Sequence, residues 1–179
     1  MKTRLECLEE YGSDYFIEKK IENGELYKLG KGIYSDKKFV PDMAMFGYKY
    51  PKAVVTMKSA FFYYGLTDVI PDECNLATTR DAAKIRDERV KQYFVPDCLF
   101  GEGIETANYK GYDIRIYSKE RMLIELVRYK TKLPFDYYKE IILNYRKLLP
   151  ELDIQKIQDY ALAAPKSSKI LEILQLEVF

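Results

Sequence analysis

A change from helical to strand spacing near residue 24 organises the first forty residues of the chain. Apolar side chains recur over residues 14–22 at the spacing of a short amphipathic helix. Ser13 is a favoured N-cap residue, and Gly24 tolerates the left-handed backbone that is common where a helix ends. The predicted buried face consists of Phe16, Ile17, Lys20 and Ile21. The predicted outer face consists of Tyr15, Glu18, Lys19 and Glu22.

A β-hairpin is predicted directly after this helix. The runs 25–29 and 32–35 are short and strand-like, and Gly30-Lys31 separates them. A glycine at the first central position suits a two-residue type II′ turn. The sequence therefore predicts a helix followed at once by a tight hairpin that carries Lys28 and Lys31.

This helix and hairpin together match the layout of a winged-helix DNA-binding module. We expect the helix to enter the major groove, with Ser13, Tyr15 and Lys19 as DNA contacts. Lys28 and Lys31 would lie against phosphates, which supply affinity and register without reading the sequence. The alternative is a helix-hairpin unit that only packs, and the even mixture of acids and bases in this part of the chain does not separate the two.

The linker-like segment 36–42 predicts a boundary near Asp42, because it is rich in charges and contains Pro41. Leu5 and Leu8 predict one short helix within residues 1–10. Only one helix therefore precedes the helix that is expected to enter the groove, whereas a winged helix usually has two there. The predicted organisation is an abbreviated winged-helix module over residues 1–41 and a mixed α/β domain over residues 42–179.

The second region mixes predicted helices and strands. A helix over residues 57–66 follows Thr56, strands are expected at 74–79, 90–95, 104–107 and 112–117, and Ser118 caps a helix over residues 119–128. Three further helices follow Pro134, Asp153 and Pro165, the first with an apolar face that begins at Phe135. The predicted core of this domain consists of Phe61, Phe62, Leu66, Met122, Leu123 and Leu126.

A charged connector, RDAAKIRDER, separates the first two of these strands. Its cations are Arg80, Lys84, Arg86 and Arg89, and its acids are Asp81, Asp87 and Glu88. Such a run is most often a solvated surface, and the alternative is a contact with DNA or with an acidic partner.

Composition narrows the possible functions. The 179 residues are 47% apolar with a net charge of +1, and no run predicts a signal peptide or a membrane span, so we expect a cytoplasmic protein without a membrane partner. The chain has no histidine, which removes imidazole acid-base catalysis and most zinc sites. Three distant cysteines without CxxC spacing, Cys7, Cys74 and Cys98, predict buried free thiols. We therefore expect no catalytic site, no metal and no cofactor.

The order of the motifs along the chain resembles the AbiEi antitoxin family of abortive-infection systems. The motifs are GELYKLGKGIYS, TMKSAFFYYGLTDVIP, NLATTR, VKQYFVP, YDIRIYSKERMLIELVRYK and FDYYKEIILNYRK. The resemblance covers nearly the whole chain. The N-terminal module of this chain is shorter than is usual in the family, and Tyr64 stands where relatives often have histidine.

The resemblance implies a transcriptional autoregulator and antitoxin in a type IV toxin-antitoxin system that defends against phage. It implies two partners, the promoter DNA of its own operon and a nucleotidyltransferase-like toxin, which is counteracted without a stable complex being required. Segment 13–23 would be the recognition helix, 25–35 the wing, and the region from Pro51 the antitoxin domain. The alternatives are a protein-interaction module that has lost DNA binding and a free-standing regulator without a toxin. A further alternative is an undetected enzyme, which the missing histidine and the lack of convergent carboxylates disfavour.

Overall fold

Two β-sheets organise the chain, as the computed structural model of residues 1–179 shows. The first sheet has three strands and lies within residues 1–35, and the second has five strands and lies within residues 54–117. Two helices separate the first two strands of the first sheet, and further helices precede, separate and follow the strands of the second. The predicted mixed α/β class is confirmed.

Two short helices lie between the first and second strands of the first sheet along the chain. The elements in order are β1 (Lys2–Thr3), α1 (Arg4–Tyr11), α2 (Asp14–Glu22), β2 (Tyr27–Gly30) and β3 (Ile33–Ser35). The strands are antiparallel in the order β1-β3-β2. A capping box opens α1, because the Thr3 hydroxyl accepts from the Glu6 amide while the Glu6 carboxylate accepts from the Thr3 amide. Strand β1 was not predicted, since two residues are too few to show an alternating pattern.

The turn of the hairpin lies one residue later than predicted. Gly30 pairs with Ile33 at the end of the ladder, so Lys31 and Gly32 form the turn. Gly32 has a φ of 74°, a value that glycine adopts without a steric penalty, whereas Gly30 remains in the strand. A register irregularity between Lys28 and Gly30 produces the shift. The prediction of a type II′ turn at Gly30-Lys31 is therefore wrong, although the predicted hairpin is present.

The second sheet is mixed, with strand order β6-β5-β4-β8-β7. Its strands are β4 (Val54–Val55), β5 (Cys74–Thr79), β6 (Val90–Val95), β7 (Ile104–Tyr109) and β8 (Tyr112–Tyr117). The central β4 runs antiparallel to β5 and parallel to β8. Strands β5 and β6 are parallel, so the charged connector over residues 80–89 is a crossover without a helix.

Seven helices accompany the second sheet. They are α3 (Asp42–Lys49), α4 (Met57–Tyr63), α5 (Asp97–Phe100), α6 (Lys119–Arg128), α7 (Phe135–Leu148), α8 (Ile154–Ala163) and α9 (Ser167–Glu177). Short 3₁₀ helices follow α6 at Lys130–Lys132 and α7 at Leu149–Glu151. The central helix is α6, which contacts α4, α8 and α9 and is buried from Arg121 to Val127. None of the helices combines the length and apolar character needed to cross a bilayer.

The main core joins 39 buried side chains, and five of the six predicted members belong to it. Phe61, Leu66, Met122, Leu123 and Leu126 are almost inaccessible to solvent. Phe62 is only partly buried, because it is the next residue on α4 and therefore points about 100° away from Phe61. Its predicted place in the core is wrong.

Phe135 was also predicted to be buried and is 72% exposed. It is the first residue of α7, and the helix packs through residues further along, Tyr138, Ile141 and Tyr145. The apolar face predicted for α7 is thus correct in its interior and wrong at its beginning.

Arg121 and Glu125, which lie four residues apart on α6, form a buried ion pair. Arg121 Nη2 lies 2.5 Å from Glu125 Oε1, and Arg128 Nη1 reaches the same oxygen at 2.6 Å. Gly103 leaves the space that Arg121 occupies, since a Cβ at residue 103 would lie 2.5 Å from the Arg121 Cβ. Removing one charge from such a buried group would leave the other uncompensated and would destabilise the fold.

Candidate nucleic-acid interface

The N-terminal module, residues 1–41, holds α2 in place through a very small core. Four buried side chains form it: Cys7, Ile17, Leu26 and Tyr34. The backbone also fixes the exit from α2, because the Lys20 carbonyl accepts from the amides of Glu25 and Leu26. These contacts tie the start of the hairpin to the last turn of α2.

Ser13 occupies the N-cap position of α2, as predicted, with an extended backbone and no side-chain capping bond. Asp14 begins the helix and is held by Arg4, whose Nε and Nη2 lie 3.0 and 2.5 Å from the two carboxylate oxygens. The Ser13 hydroxyl is therefore not used in capping. It remains able to donate to or accept from a ligand.

Two aromatic residues are exposed on α2. Tyr15 is 65% exposed and Phe16 is 53% exposed, with their ring centroids 5.4 Å apart in an edge-on arrangement. Lys19 Nζ lies 5.9 Å from the centre of the Tyr15 ring. The predicted burial of Phe16 is wrong, because the small core of the module covers Ile17 and leaves nothing to cover its neighbour. Phe16 is thus an exposed residue that the helical pattern assigned to the interior.

The lysines that were predicted to contact DNA have no ion-pair partners. Of the eight cations in the N-terminal module, Lys2, Arg4 and Lys20 pair with Glu10, Asp14 and Glu25. Lys19, Lys28 and Lys31 form no ion pair and are exposed, on α2, on β2 and in the hairpin turn. Lys37 and Lys38, after β3, are also exposed and without an ion pair, and they were not singled out from the sequence.

Acidic side chains accompany these cations. The N-terminal module contains eight acidic residues against its eight basic residues. Glu18 and Glu22 are exposed on α2 and make no ion pair, so they remain negatively charged beside Lys19. A phosphate approaching α2 would meet both signs of charge.

The connector cations fall into two groups. Arg80, Lys84 and Arg86 are exposed and make no ion pair. Arg89 instead lies against the fold, 3.3 Å from Asp87 and 3.5 Å from Asp42, with its guanidinium 4.9 Å from the centre of the Phe46 ring. The first three are therefore available to a partner, whereas Arg89 is engaged in contacts within the chain.

Arg89 also lies near the hairpin. Its Nη2 lies 4.0 Å from the position that a Cβ on Gly30 would take, next to Lys31 in the hairpin turn. A second contact between the regions joins α3 to α1, since the Tyr48 hydroxyl donates to Glu6 at 2.8 Å. The N-terminal module thus lies against the second region near Gly30 and near Glu6.

The remaining candidate groups are engaged or isolated. Burial raises the pKa of the Cys74 thiol to about 12, and Cys7 is also buried. The predicted burial of Cys98 is wrong, because the short α5 buries Leu99 and leaves Cys98 exposed. The Tyr64 hydroxyl lies 2.7 Å from Glu105 Oε1 and 2.8 Å from the Tyr117 carbonyl, and burial raises its pKa. No group of three or more histidine, cysteine or acidic side chains could hold a metal ion.

No protein-family model matches the chain, and no curated protein is significantly similar to it.

Proposed function

We propose that this protein is a DNA-binding transcriptional autoregulator and the antitoxin of a type IV toxin-antitoxin system, as the resemblance to the AbiEi family implies. One observation carries the DNA-binding part. The helix α2 and the hairpin that follows it present Lys19, Lys28 and Lys31 as exposed cations without ion pairs.

The nine-residue α2 can lie in a DNA groove. An α-helix with its side chains is about 10–12 Å across, and the major groove is about 12 Å wide. Ser13, Tyr15 and Lys19 would contact bases and backbone, while Lys28 and Lys31 on the hairpin would contact phosphates. The elements β1, α1, α2, β2 and β3 follow the order of a winged helix that lacks its first helix.

The antitoxin part of the proposal concerns residues 42–179. The partner would be a nucleotidyltransferase-like toxin, counteracted without a lasting complex. The exposed connector cations Arg80, Lys84 and Arg86 are candidates for its contact with the toxin or with DNA. The arrangement of motifs along the sequence supports this part, and it rests on that arrangement alone.

A mobility-shift titration tests the DNA-binding part. The protein should prefer duplex DNA from upstream of its own gene over random duplex of equal length. Lys28→Ala and Lys31→Ala should each weaken binding to both duplexes and reduce the slope of log K against log salt by about one. Lys20→Ala is the matched control, because Lys20 carries the same charge but is paired with Glu25 at 2.6 Å.

A second candidate is an interaction module that has lost DNA binding. The balanced charge of the N-terminal module and the exposed Glu18 and Glu22 favour it. Absence of any preference for the upstream duplex at modest salt would select this candidate. The third reading, a free-standing regulator, is separated by the adjacent gene, since an antitoxin should have a nucleotidyltransferase-like neighbour.

A further inference from the structure

A groove between α9 and the end of α6 has a volume of about 550 Å³. We call it the α9 groove. Val127 of α6 and Ile170 of α9 are buried at its base, and Ile173 is half-buried. Leu176 also lines the groove and is 71% exposed, which leaves an apolar wall open to solvent.

Cations surround this apolar surface, and two of them are free. Arg128 is paired with Glu125, and Lys130 is paired with Glu177 in the last turn of α9. Lys166 and Lys169 line the groove and make no ion pair. The one acidic residue in the lining is Glu172, so the free charges there are two positive and one negative.

The free lysines and the exposed leucine lie at opposite ends of α9. Lys166 directly precedes the helix, while Leu176 is its penultimate residue. The contact between Lys130 and Glu177 ties the 3₁₀ helix 130–132 to the leucine end. The α9 groove thus has an apolar end beside a fixed contact and a cationic end with unpaired charges.

The backbone at the cationic end is unusual. Lys166 has a φ of 65°, in the left-handed region that few residues other than glycine adopt. Such conformations persist only where the surroundings impose them, and they are concentrated at ligand sites. This conformation sets the position from which Lys166 enters the lining of the groove.

We propose that the α9 groove binds a small anionic amphiphile, with its apolar chain along Ile173 and Leu176 and its acidic head at Lys166 and Lys169. The volume lies within the range of small-molecule sites, about 300–1,000 Å³. The distance along α9 from Lys169 to Leu176 is about 10 Å, which an extended acyl chain of medium length spans. This site is separate from the proposed DNA contacts and does not depend on them.

The charge and size of the groove favour this ligand over others. A neutral apolar ligand would gain nothing from the exposed Lys166 and Lys169, and a cationic one would be repelled by them. A stable protein interface buries about 800 Å² on each side, far more than the four apolar residues of the groove offer. A single chain with one acidic head satisfies both ends at once.

Titration with decanoate below its micellar concentration tests the proposal, with calorimetry as the readout. We expect saturable binding of one molecule per chain, weaker at higher salt. Decyltrimethylammonium has the same chain with the opposite charge and should bind much more weakly. Equal binding of the two compounds, or no saturable binding of decanoate, would overturn the proposal.

Variants locate the site. Lys166→Glu combined with Lys169→Glu should weaken decanoate binding by about tenfold or more, since each reversal replaces an attraction with a repulsion. The matched control is Lys139→Glu combined with Lys147→Glu, two exposed lysines of α7 with the same total change in charge. Glu172→Gln should instead tighten binding several-fold, a gain that a merely structural role would not give.

The apolar end has its own pair of variants. Leu176→Asp should abolish binding, whereas Leu162→Asp should not, because Leu162 is similarly exposed but lies on α8 outside the groove. Melting curves would check that each variant is folded. If the parent forms dimers that Leu176→Asp dissolves, the groove is an interface between two copies and the proposal is wrong.

Discussion

The two regions of the protein differ most in how much each buries. The small core of the N-terminal module joins four buried side chains, and the main core joins 39. Two buried residues of the module, Ile33 and Val40, belong to the main core and not to the small one. Burying a few side chains cannot offset the conformational entropy that is lost when about forty residues are ordered. The module therefore depends on its contacts with the second region.

The two regions also use charge differently. In the second region, the Arg121 and Glu125 side chains form a buried ion pair, and Lys130 with Glu177 fixes the end of α9. In the N-terminal module, exposed lysines remain without partners on α2 and on the hairpin. The second region thus contains a buried ion pair that the module lacks, whereas exposed cations without ion pairs occur in both regions.

The largest effect should come from the main core, where Phe61 and Phe62 form a matched pair on α4. Phe61→Ala removes a fully buried ring and should lower the free energy of unfolding by about 3–5 kcal/mol. Phe62→Ala should cost only about 1 kcal/mol, because its ring is partly exposed. Urea unfolding of both variants gives the measurement. Equal losses would show that α4 packs through both rings.

Elements that carry their own local signals could be predicted from the sequence. The ranges predicted for β5, β6 and β8 match the structure, because turn-forming or charged residues bound each β-prone run. Strand β1 could not be predicted, since it is a strand only through its pairing with Tyr34 and Ile33. Phe16, Phe62 and Phe135 were assigned to the interior because helical spacing identifies a face, not how much of it is covered.

The candidate site was predictable only in part, for a similar reason. The turn residues located α2 and the hairpin, and hence the positions of Lys19 and Lys28. Which lysines stay unpaired depends on neighbours brought together by folding, as Lys20 with Glu25 shows. Arg86 and Arg89 are both arginines of the charged connector, so the sequence does not distinguish them. In the structure, Arg89 contacts Asp42 and Phe46 and is engaged within the chain.

An intermediate effect is expected at the contact between the two regions, where acid should loosen the module first. Hydrogen bonds from the Thr3 amide and the Tyr48 hydroxyl lower the pKa of Glu6 to about 2. An unfolded glutamate has a pKa of about 4.3, so the unfolded state binds more protons between these values. The stability from Glu6 is therefore present above about pH 4.3 and is lost as the pH falls towards 2.

Tyr48→Phe tests this pH dependence. Without the hydroxyl the pKa of Glu6 should rise, so amide exchange in α1 should accelerate at a higher pH than in the parent. Tyr50→Phe is the control, because Tyr50 stacks on Phe46 and its hydroxyl is not bonded to Glu6. Identical pH profiles for the parent and Tyr48→Phe would show that this contact does not hold the module to α3.

The smallest effect on stability should come from removing the charges that the proposed function uses most. A variant combining Lys19→Ala, Lys28→Ala and Lys31→Ala should melt within a few degrees of the parent, because these exposed side chains make no ion pair. The same variant should lose repression of its own promoter, which a reporter gene would measure, and still protect cells that express the cognate toxin. A charge reversal of Arg80, Lys84 and Arg86 is the complementary variant, and loss of protection at an unchanged melting temperature would make the connector functional. If the lysine variant stays folded but no longer protects, repression and protection share one surface, and the division of roles between the two regions is wrong.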